Sequence, residues 1–393
     1  MVRSSCYALE ELDGRFFLFP IGQACADFAR DVEINEVGAF IWGYLKEAHE
    51  LDEIVDACMK EYECDSTDYG DVKQSVEQFV TDMEVKHLLY AGDIGKQDSE
   101  AYYREYSVAD IDIRVFGGDE IDLSMMSPFV KKSEQSRAVI QVYLEKGKKA
   151  DAEEGRVSLL SGKRPISQSN DVIIYRIFSG YQVLFSGYQF VSNLQVSTDG
   201  STCIIGYNDE AEDKAVLSEE IFNSLKIPFY LCAQKLGRVA LHSASVVYKD
   251  KGWIFSGKTH AGKSTHANLW NRYLGTKIFN GDVNLLGIEN GLLYMYGIPW
   301  CGTSGLNAIG KYPVGGIMFI KQNDTSRIAE LPYAERVLKL LRRLFTPFWC
   351  EEQADMNTKI CKDVANVTNI CELFCTKEKD AFDVSREYAD RIV

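Results

Sequence analysis

The sequence predicts an α+β and α/β protein in three parts: a winged-helix-like domain at residues 1–95, a β-rich lead-in at 96–215 and a phosphate-loop α/β domain at 216–393. Three observations support this prediction. Apolar residues recur at helical spacing in the first part, strand-like runs fill the second, and a G-x-x-x-x-G-K-[ST] pattern lies between a strand and a helix in the third. A chain of 393 residues is long enough for two or three domains.

Short extended segments and amphipathic helices alternate in the first 95 residues. Strands are predicted at 7–9, at 16–19 and in the stretch that approaches Ile34. Asn35 is a good N-cap for a first helix, because its side chain can accept a hydrogen bond from the first turn. Periodicity and apolar runs then predict a second helix over 51–62, a third over 72–83 and a closing strand at 88–90.

Strand-like runs separated by turn residues dominate the middle of the chain. They lie at 111–116, 138–144, 172–177, 181–185, 190–196 and 201–207, and the polar connector 146–155 is a predicted loop. The last part is predicted to contain a helix at 217–236, strands at 238–247, 292–297 and 316–320, a strand on each side of Asp282 within 277–286, and an amphipathic, Arg-rich helix at 334–348.

The composition is that of an ordinary globular protein, with 46% hydrophobic and 26% charged residues. No apolar stretch approaches the roughly 20 residues that a membrane span requires, and no signal-peptide pattern is present. We therefore expect a cytosolic protein without a membrane partner. The 11 cysteines contain no C-x-x-C pair, which argues against a disulfide framework and a structural zinc site.

The net charge of −15 is concentrated at the N-terminal end. Residues 1–95 hold 21 acidic and 7 basic side chains, so nearly all of the excess lies there. Because a DNA-binding domain must neutralise phosphates with Lys and Arg, this balance disfavours nucleic acid as a partner. A solvated acidic surface and a surface that attracts a basic partner remain alternatives.

The phosphate-loop pattern predicts a nucleotide site. Glycines let the backbone curl so that N–H groups face phosphate oxygens, and the following helix N-terminus adds partial positive charge. Lys263 would reach the outer phosphates and the Ser264 hydroxyl would bind Mg²⁺. The alternative is a plain glycine turn. The predicted binding residues are Gly257, Lys258, Thr259, His260, Ala261, Gly262, Lys263, Ser264 and Thr265.

Asp282 and His242 are the candidate catalytic side chains beside Lys263. Asp282 follows Ser264 by one helix and a return strand, so it can lie next to the phosphates as catalytic base or Mg²⁺ ligand. Its alternative is a surface-turn aspartate. His242 lies in the strand before the phosphate-loop strand, where a core histidine is the alternative. Arginines that could supply a transition-state cation are not assigned individually: Arg327, Arg336, Arg342 and Arg343.

The N-terminal segment resembles the PqqD-like family, the peptide-recognition element of ribosomally made natural-product pathways. The resemblance lies in FFLF at 16–19, INEVGAFIW at 34–42 and LDEIV at 51–55. Ile34 departs from the Leu that the family usually has there. The resemblance implies that a precursor's leader peptide adds as a strand to the small sheet and packs against the third helix.

The C-terminal part is similar to the HPr serine kinase/phosphorylase family. The matching elements are LHSA at 241–244, FSG at 255–257, AGKST at 261–265, and Asp282. The resemblance implies a fold shared with phosphoenolpyruvate carboxykinase nucleotide domains, in which ATP and Mg²⁺ phosphorylate a polypeptide serine, with His242 beside the catalytic aspartate. Gly281 replaces the first of two family aspartates. The PWCG run at 299–302 resembles divergent homologues of peptide-modifying pathways, so HPr is not the expected substrate, and the turn 302–305 either touches phosphates or simply turns the chain.

Together these features predict a cytosolic kinase, dependent on ATP and Mg²⁺, that phosphorylates a hydroxyl, expected to be serine, on a ribosomally made precursor peptide. Residues 1–95 would hold its leader and raise the local concentration of the acceptor. Two other hypotheses stay open: a chaperone that binds ATP and presents the peptide, which Gly281 favours, and an ATP-responsive winged-helix regulator. Homo-oligomer formation is also left open.

Overall fold

The computed structural model describes residues 2–3, 7–20, 31–46, 49, 51–85, 88–90, 103–132, 136–147, 165–169, 171–177, 180–208, 211–301 and 308–392. Within them the chain forms two compact units, residues 1–101 and 102–393. Of the loop predicted at 146–155, residues 146–147 are instead the end of a strand (Ala138–Gly147), and residues 148–155 lie outside the described residues, as does the turn 302–305. None of the helices in the described ranges is long and apolar enough to cross a membrane.

The N-terminal unit contains a three-stranded antiparallel sheet and three helices. Asn35 caps the first helix as predicted, since its Oδ1 accepts a hydrogen bond from the Gly38 N–H at 2.8 Å. Trp42 and Leu18 are fully buried in a core that this unit completes by itself. The strands are β1 (Val2–Arg3), β2 (Tyr7–Leu12), β3 (Arg15–Pro20), β4 (Val32–Ile34) and β5 (Leu89–Tyr90), and the helices are α1 (Glu36–Tyr44), α2 (Leu51–Glu61) and α3 (Tyr69–Val85), with a 3₁₀ turn at Ser66–Asp68.

The second unit begins with an eight-stranded mixed sheet, which confirms the predicted β-rich character of this region. Its order is β6-β7-β8-β13-β12-β11-β10-β9, with β8 parallel to both β7 and β13. The strands are β6 (Tyr103–Val108), β7 (Ile111–Phe116), β8 (Ala138–Gly147), β9 (Ser167–Gln168), β10 (Val172–Ile177), β11 (Gly180–Phe185), β12 (Val191–Ser197) and β13 (Thr202–Asn208), with a 3₁₀ helix at Ser124–Phe129.

The predicted helix at 217–236 is two helices, α4 (Lys214–Ser224) and α5 (Lys226–Lys235), separated at Leu225. Asp213 caps α4 through hydrogen bonds from two backbone N–H groups. Phe229 and Leu231 of α5 join the core of the eight-stranded sheet, which also takes in Ala240 and Leu285 of the following sheet. The lead-in and the C-terminal part therefore share one hydrophobic core.

The second sheet is built around two long strands that change partners along their length. β14 (Arg238–Tyr248) pairs with β17 (Val283–Glu289) through residues 238–242 and with β15 (Lys251–Ser256) through residues 243–248. β19 (Lys311–Gln322) is parallel to both β15 and β21 (Ile370–Cys375). The other strands are β16 (Ile278–Asn280), β18 (Leu292–Tyr296) and β20 (Arg327–Glu330).

The C-terminal tail differs from the sequence prediction. The helix predicted over 334–348 is α7 (Tyr333–Leu341), and beyond it the chain turns at Arg342 and Arg343 before it meets β14. There Phe345 donates its N–H to Ala240 O, and Leu344 forms a β-bridge with Leu241. Pairing with β14 therefore replaces the last helical turns. The remaining helices are α6 (Lys263–Leu274), which follows the phosphate loop, α8 (Glu351–Val367) and α9 (Lys379–Ile392).

Candidate nucleotide and catalytic site

The phosphate loop runs from the end of β15 to the start of α6, as its pattern predicts. Gly262 has φ +103°, a conformation that favours glycine, and His260 has φ +61°. Ala261 donates its N–H to Lys258 O at 3.0 Å, which closes the turn. No side chain among the described residues caps the N-terminus of α6. The N–H groups of its first turn are therefore available to an anion.

Lys263 is buried at the start of α6, with 8% of its surface exposed. Its Nζ lies 3.4 Å from Lys258 O, so the side chain folds back over the loop. Burial lowers the pKa of this ammonium, and the Arg343 charge acts in the same direction while Asp282 opposes it. A bound phosphate would supply the negative charge that this buried cation lacks.

His242 lies where β14 exchanges one partner strand for another. It pairs with Val283 of β17, and the next residue, Ser243, pairs with Ser256 at the start of the phosphate loop. Ser243 donates its N–H to Asp282 O at 2.8 Å. This exchange of partners brings His242, Asp282 and the loop to one place.

Asn280 fixes the turn that carries Asp282. Its Oδ1 accepts hydrogen bonds from the N–H groups of Asp282 and Val283 at 2.9 and 3.0 Å. Its Nδ2 donates to Trp300 O at 3.1 Å. Asp282 therefore follows β16 on a braced turn, and its side chain is 37% exposed at the site.

His242 Nδ1 lies 3.5 Å from Asp282 Oδ1. Burial lowers the pKa of the imidazole; the Lys263 charge lowers it further, and Asp282 acts against both. Phe345 contributes to this environment with its ring edge-on to the imidazole at 5.2 Å. These effects favour the neutral form of the His242 imidazole beside Asp282.

Ser264 reaches the same turn from the other side. Its Oγ lies 3.5 Å from Gly281 O, so the predicted Mg²⁺ ligands Ser264 and Asp282 face one small region. Gly281 contributes no carboxylate there. Across the described ranges, no three His, Cys, Asp or Glu side chains come close enough to hold a metal ion by themselves. The donor set suits a Mg²⁺ ion shared with nucleotide phosphates, which needs only one or two protein oxygens.

Three further residues interact with the site through charge or a backbone hydrogen bond, and sequence reasoning gave none of them an individual role. Lys226, at the start of α5, has its pKa lowered by burial, with the Asp282 charge opposing the shift. Burial raises the pKa of Tyr230, and Asp282 adds to the effect. Arg343 accepts the His242 N–H at its carbonyl at 2.8 Å. No local pattern points to Lys226 or Tyr230, because both come from a helix that precedes β14.

Trp300 of the PWCG run belongs to the core. It is 1% exposed, its Nε1 donates to Phe222 O at 3.0 Å, and its ring packs against Phe229 at 4.9 Å. The run therefore anchors the chain to α4 and α5 through Trp300.

Two cavities flank the phosphate loop. The first, of about 330 Å³, is formed by the start of α6 and the ends of β19 and β21. The second, of about 550 Å³, lies against the preceding part of the loop and α7. His260, Ala261 and Gln322 line both, so the loop forms the ridge between them. The first is lined by His260, Ala261, Gly262, Lys263, Ser264, Thr265, His266, Leu269, Gln322, Cys375, Thr376 and Lys377.

The family model described as coenzyme PQQ synthesis protein D (PqqD) matches residues 26–89. The N-terminal segment is PqqD-like. This finding confirms the N-terminal resemblance seen in the sequence. A solved structure titled TbiB1 in complex with the TbiA(beta) leader peptide is 26% identical and covers 25% of this chain and 100% of its own, with a TM-score of 0.19.

The second resemblance also recurs among solved structures. The HPr(Ser) kinase/phosphatase from Coxiella burnetii is 14% identical and covers 39% of this chain and 97% of its own, with a TM-score of 0.23. No curated protein matches the chain. The mechanism proposed below rests on the geometry of this chain and on its PqqD-like segment.

Proposed function

We propose that this protein is a kinase that transfers the γ-phosphoryl group of ATP to a hydroxyl, serine first, of a ribosomally made precursor peptide. The observation that carries the proposal is the convergence of Asp282 and His242 on the phosphate loop, with the two side chains 3.5 Å apart. A phosphate cradle beside a positioned carboxylate is the arrangement that phosphoryl transfer to a hydroxyl requires.

The residues present suit ATP and Mg²⁺. Residues 257–265 would hold the nucleotide through backbone N–H groups and Lys263, and Ser264 and Asp282 would hold the metal. Bound ATP would supply the phosphoryl group, and Mg²⁺ would offset its charge.

Asp282 would orient the acceptor hydroxyl and accept its proton. His242 would favour this role in its neutral form, because a neutral imidazole leaves the carboxylate without a competing ion pair. Lys263 would place its positive charge where negative charge develops on the transferred group. These roles require only one carboxylate, that of Asp282, which agrees with the glycine at the neighbouring position 281.

The PqqD-like segment supports a peptide as the substrate. We propose that the precursor's leader adds as a strand to the three-stranded sheet of the N-terminal unit, where backbone hydrogen bonds give affinity and side-chain pockets give choice. Binding the leader would hold the acceptor at a high effective concentration near the site. The acidic surface of this unit favours a leader with basic residues.

The test is mass spectrometry of a candidate precursor peptide, sought among short reading frames near this gene, after incubation with ATP and Mg²⁺. We expect one added phosphate on a hydroxyl residue. Asp282→Asn should slow its appearance by about 100-fold or more, the range for loss of a positioned acid-base group. Asp250→Asn, in the exposed turn between β14 and β15, is the matched control and should retain the full rate.

A chaperone that binds ATP and presents the peptide is the second candidate, and Gly281 is the observation that favours it. If the native protein binds both ATP and the precursor tightly but adds no phosphate, the chaperone is supported and the kinase is not. An ATP-responsive DNA regulator is disfavoured by the acidic N-terminal unit.

A further inference from the structure

The second cavity beside the phosphate loop is lined by an excess of cations. Its volume is about 550 Å³, which lies within the range of ligand sites. Five basic side chains and one acidic side chain face it. The charged lining residues are Lys258, Lys321, Lys339, Arg342, Arg343 and Glu372. Phe319 and Ile320 of β19 also line the cavity.

Most of this positive charge has no counter-charge. Lys339 pairs with Glu372 at 2.6 Å, which uses the only carboxylate of the lining. In the part of the chain that the structure describes, Lys258, Lys321, Arg342 and Arg343 form no ion pair. Four neighbouring cations repel one another, so the cavity gains stability when an anion enters it. Such a cavity is unusual in a protein of net charge −15.

The cavity opens next to the reacting groups. It uses Gly257–Ala261 of the phosphate loop, and its Arg343 holds the His242 N–H through its carbonyl at 2.8 Å. The positive charge of Arg343 contributes to lowering the pKa of both His242 and Lys263. A ligand here would therefore lie within reach of the groups assigned to phosphoryl transfer.

The first cavity suits the nucleotide phosphates better than the second. The uncapped start of α6, with Lys263 and Ser264, lines the first cavity, on the other side of His260 and Ala261. The second cavity combines an excess of cations with contact to the buried strand β19, a combination that suits a short peptide with acidic side chains.

We propose that the second cavity binds an acidic segment of the peptide acceptor, with carboxylates next to the hydroxyl residue held by Lys321, Arg342 and Arg343. This inference rests on the proposed function, since it names the acceptor's chemistry. Two parts of the substrate would then bind at different places: a basic leader would suit the acidic N-terminal unit, and an acidic acceptor segment would suit this cavity.

The test measures binding to the full chain without ATP. The probes are two dye-labelled pentapeptides, one with a serine flanked on each side by two glutamates and one with glutamines in their place. We expect fluorescence anisotropy to show tighter binding of the glutamate peptide, weakening as ionic strength rises from about 0.01 M to 0.15 M. The double variant Lys321→Gln with Arg342→Gln should weaken it about fivefold, as for two exposed ion pairs.

The matched control is Lys359→Gln with Lys362→Gln, which removes two exposed charges from α8 outside the cavity. It should bind the glutamate peptide as the native protein does. Equal binding of both peptides, or native binding by the cavity variant, overturns the proposal. A loss of ATP affinity in the cavity variant without a loss of peptide affinity assigns the cavity to the nucleotide and also overturns it. If the glutamate peptide binds selectively but the precursor gains no phosphate in the separate mass-spectrometry assay with ATP and Mg²⁺, the kinase is refuted and this inference stands.

Discussion

The Nδ1 of His242 lies 3.5 Å from the Oδ1 of Asp282, across the point where β14 passes from β17 to β15. The two residues are 40 positions apart, and the pairing of β14 with β17 brings them together. Asp282 O also accepts the N–H of Ser243, so the backbone fixes the spacing of the pair. A partly buried imidazole beside Asp282 and a lysine gives the site a titration behaviour that can be measured without any substrate.

The pKa of His242 should respond in opposite directions to its two charged neighbours. In the native protein it lies below the ordinary histidine value, because burial and Lys263 disfavour the charged form. Lys263→Ala removes a cation and should raise this pKa. Asp282→Asn removes an anion and should lower it. Lys251→Ala, at the opposite end of β15, is the control and should leave it unchanged. NMR titration of the imidazole resonances measures all four, and a shift of equal sign in both variants would contradict the arrangement.

Lys263→Ala should abolish phosphoryl transfer and leave leader binding intact. The buried ammonium is the one charge at the start of α6 that can face the outer phosphates, and the PqqD-like segment lies in a separate unit. The measurements are calorimetric titration with ATP and with the leader, and mass spectrometry of the precursor. Unchanged ATP binding and transfer in this variant would remove the nucleotide site from the proposal.

Residues 1–101 should fold alone and bind the leader peptide. Their core is complete within the unit, with Trp42, Leu18 and Ile54 fully buried. If the leader is basic, its affinity should fall as salt rises, because the unit carries most of the chain's negative charge. Circular dichroism checks folding and calorimetry checks binding. Binding that is retained only by residues 102–393 would refute this assignment.

Acid should destabilise the protein partly through His266 of α6. Burial lowers the pKa of this imidazole to about 3, although Nε2 lies 3.0 Å from Ser385 Oγ. The unfolded chain takes up a proton near the ordinary histidine pKa, whereas the folded chain does not. Stability is therefore full above that value and falls as pH drops towards 3, by up to about 1.4 kcal/mol per pH unit for one proton.

His266→Met should remove this contribution, so denaturant unfolding between pH 6 and 4 should show a shallower pH slope than in the native protein. Ser385→Ala is the control, since it removes the neighbouring hydroxyl and keeps the titrating ring. It should lower stability at every pH and keep the native slope. An unchanged slope in His266→Met would show that the ring is protonated in the folded state.

Elements whose signals are local could be predicted from the sequence. Asn35 caps its helix and the glycines of 257–262 turn the chain, because hydrogen bonding within one turn and backbone sterics depend only on neighbouring residues. The strands on either side of Asp282 and those of the lead-in except β6 and β9 also followed from short apolar runs. The PqqD-like segment was recognisable for the same reason.

Features that depend on contacts between distant parts of the chain could be seen only in the folded structure. The helix predicted over 334–348 stops at Leu341, because Leu344 and Phe345 bond to β14, a gain that helical periodicity cannot foresee. Lys226 and Tyr230 come near Asp282 through the packing of α5, and Arg343 joins the loop cavity through the same tail. From the sequence, His242 could be interpreted either as a core residue or as a catalytic residue. Its place beside Asp282 comes from a strand that changes partners, which is a property of the whole sheet.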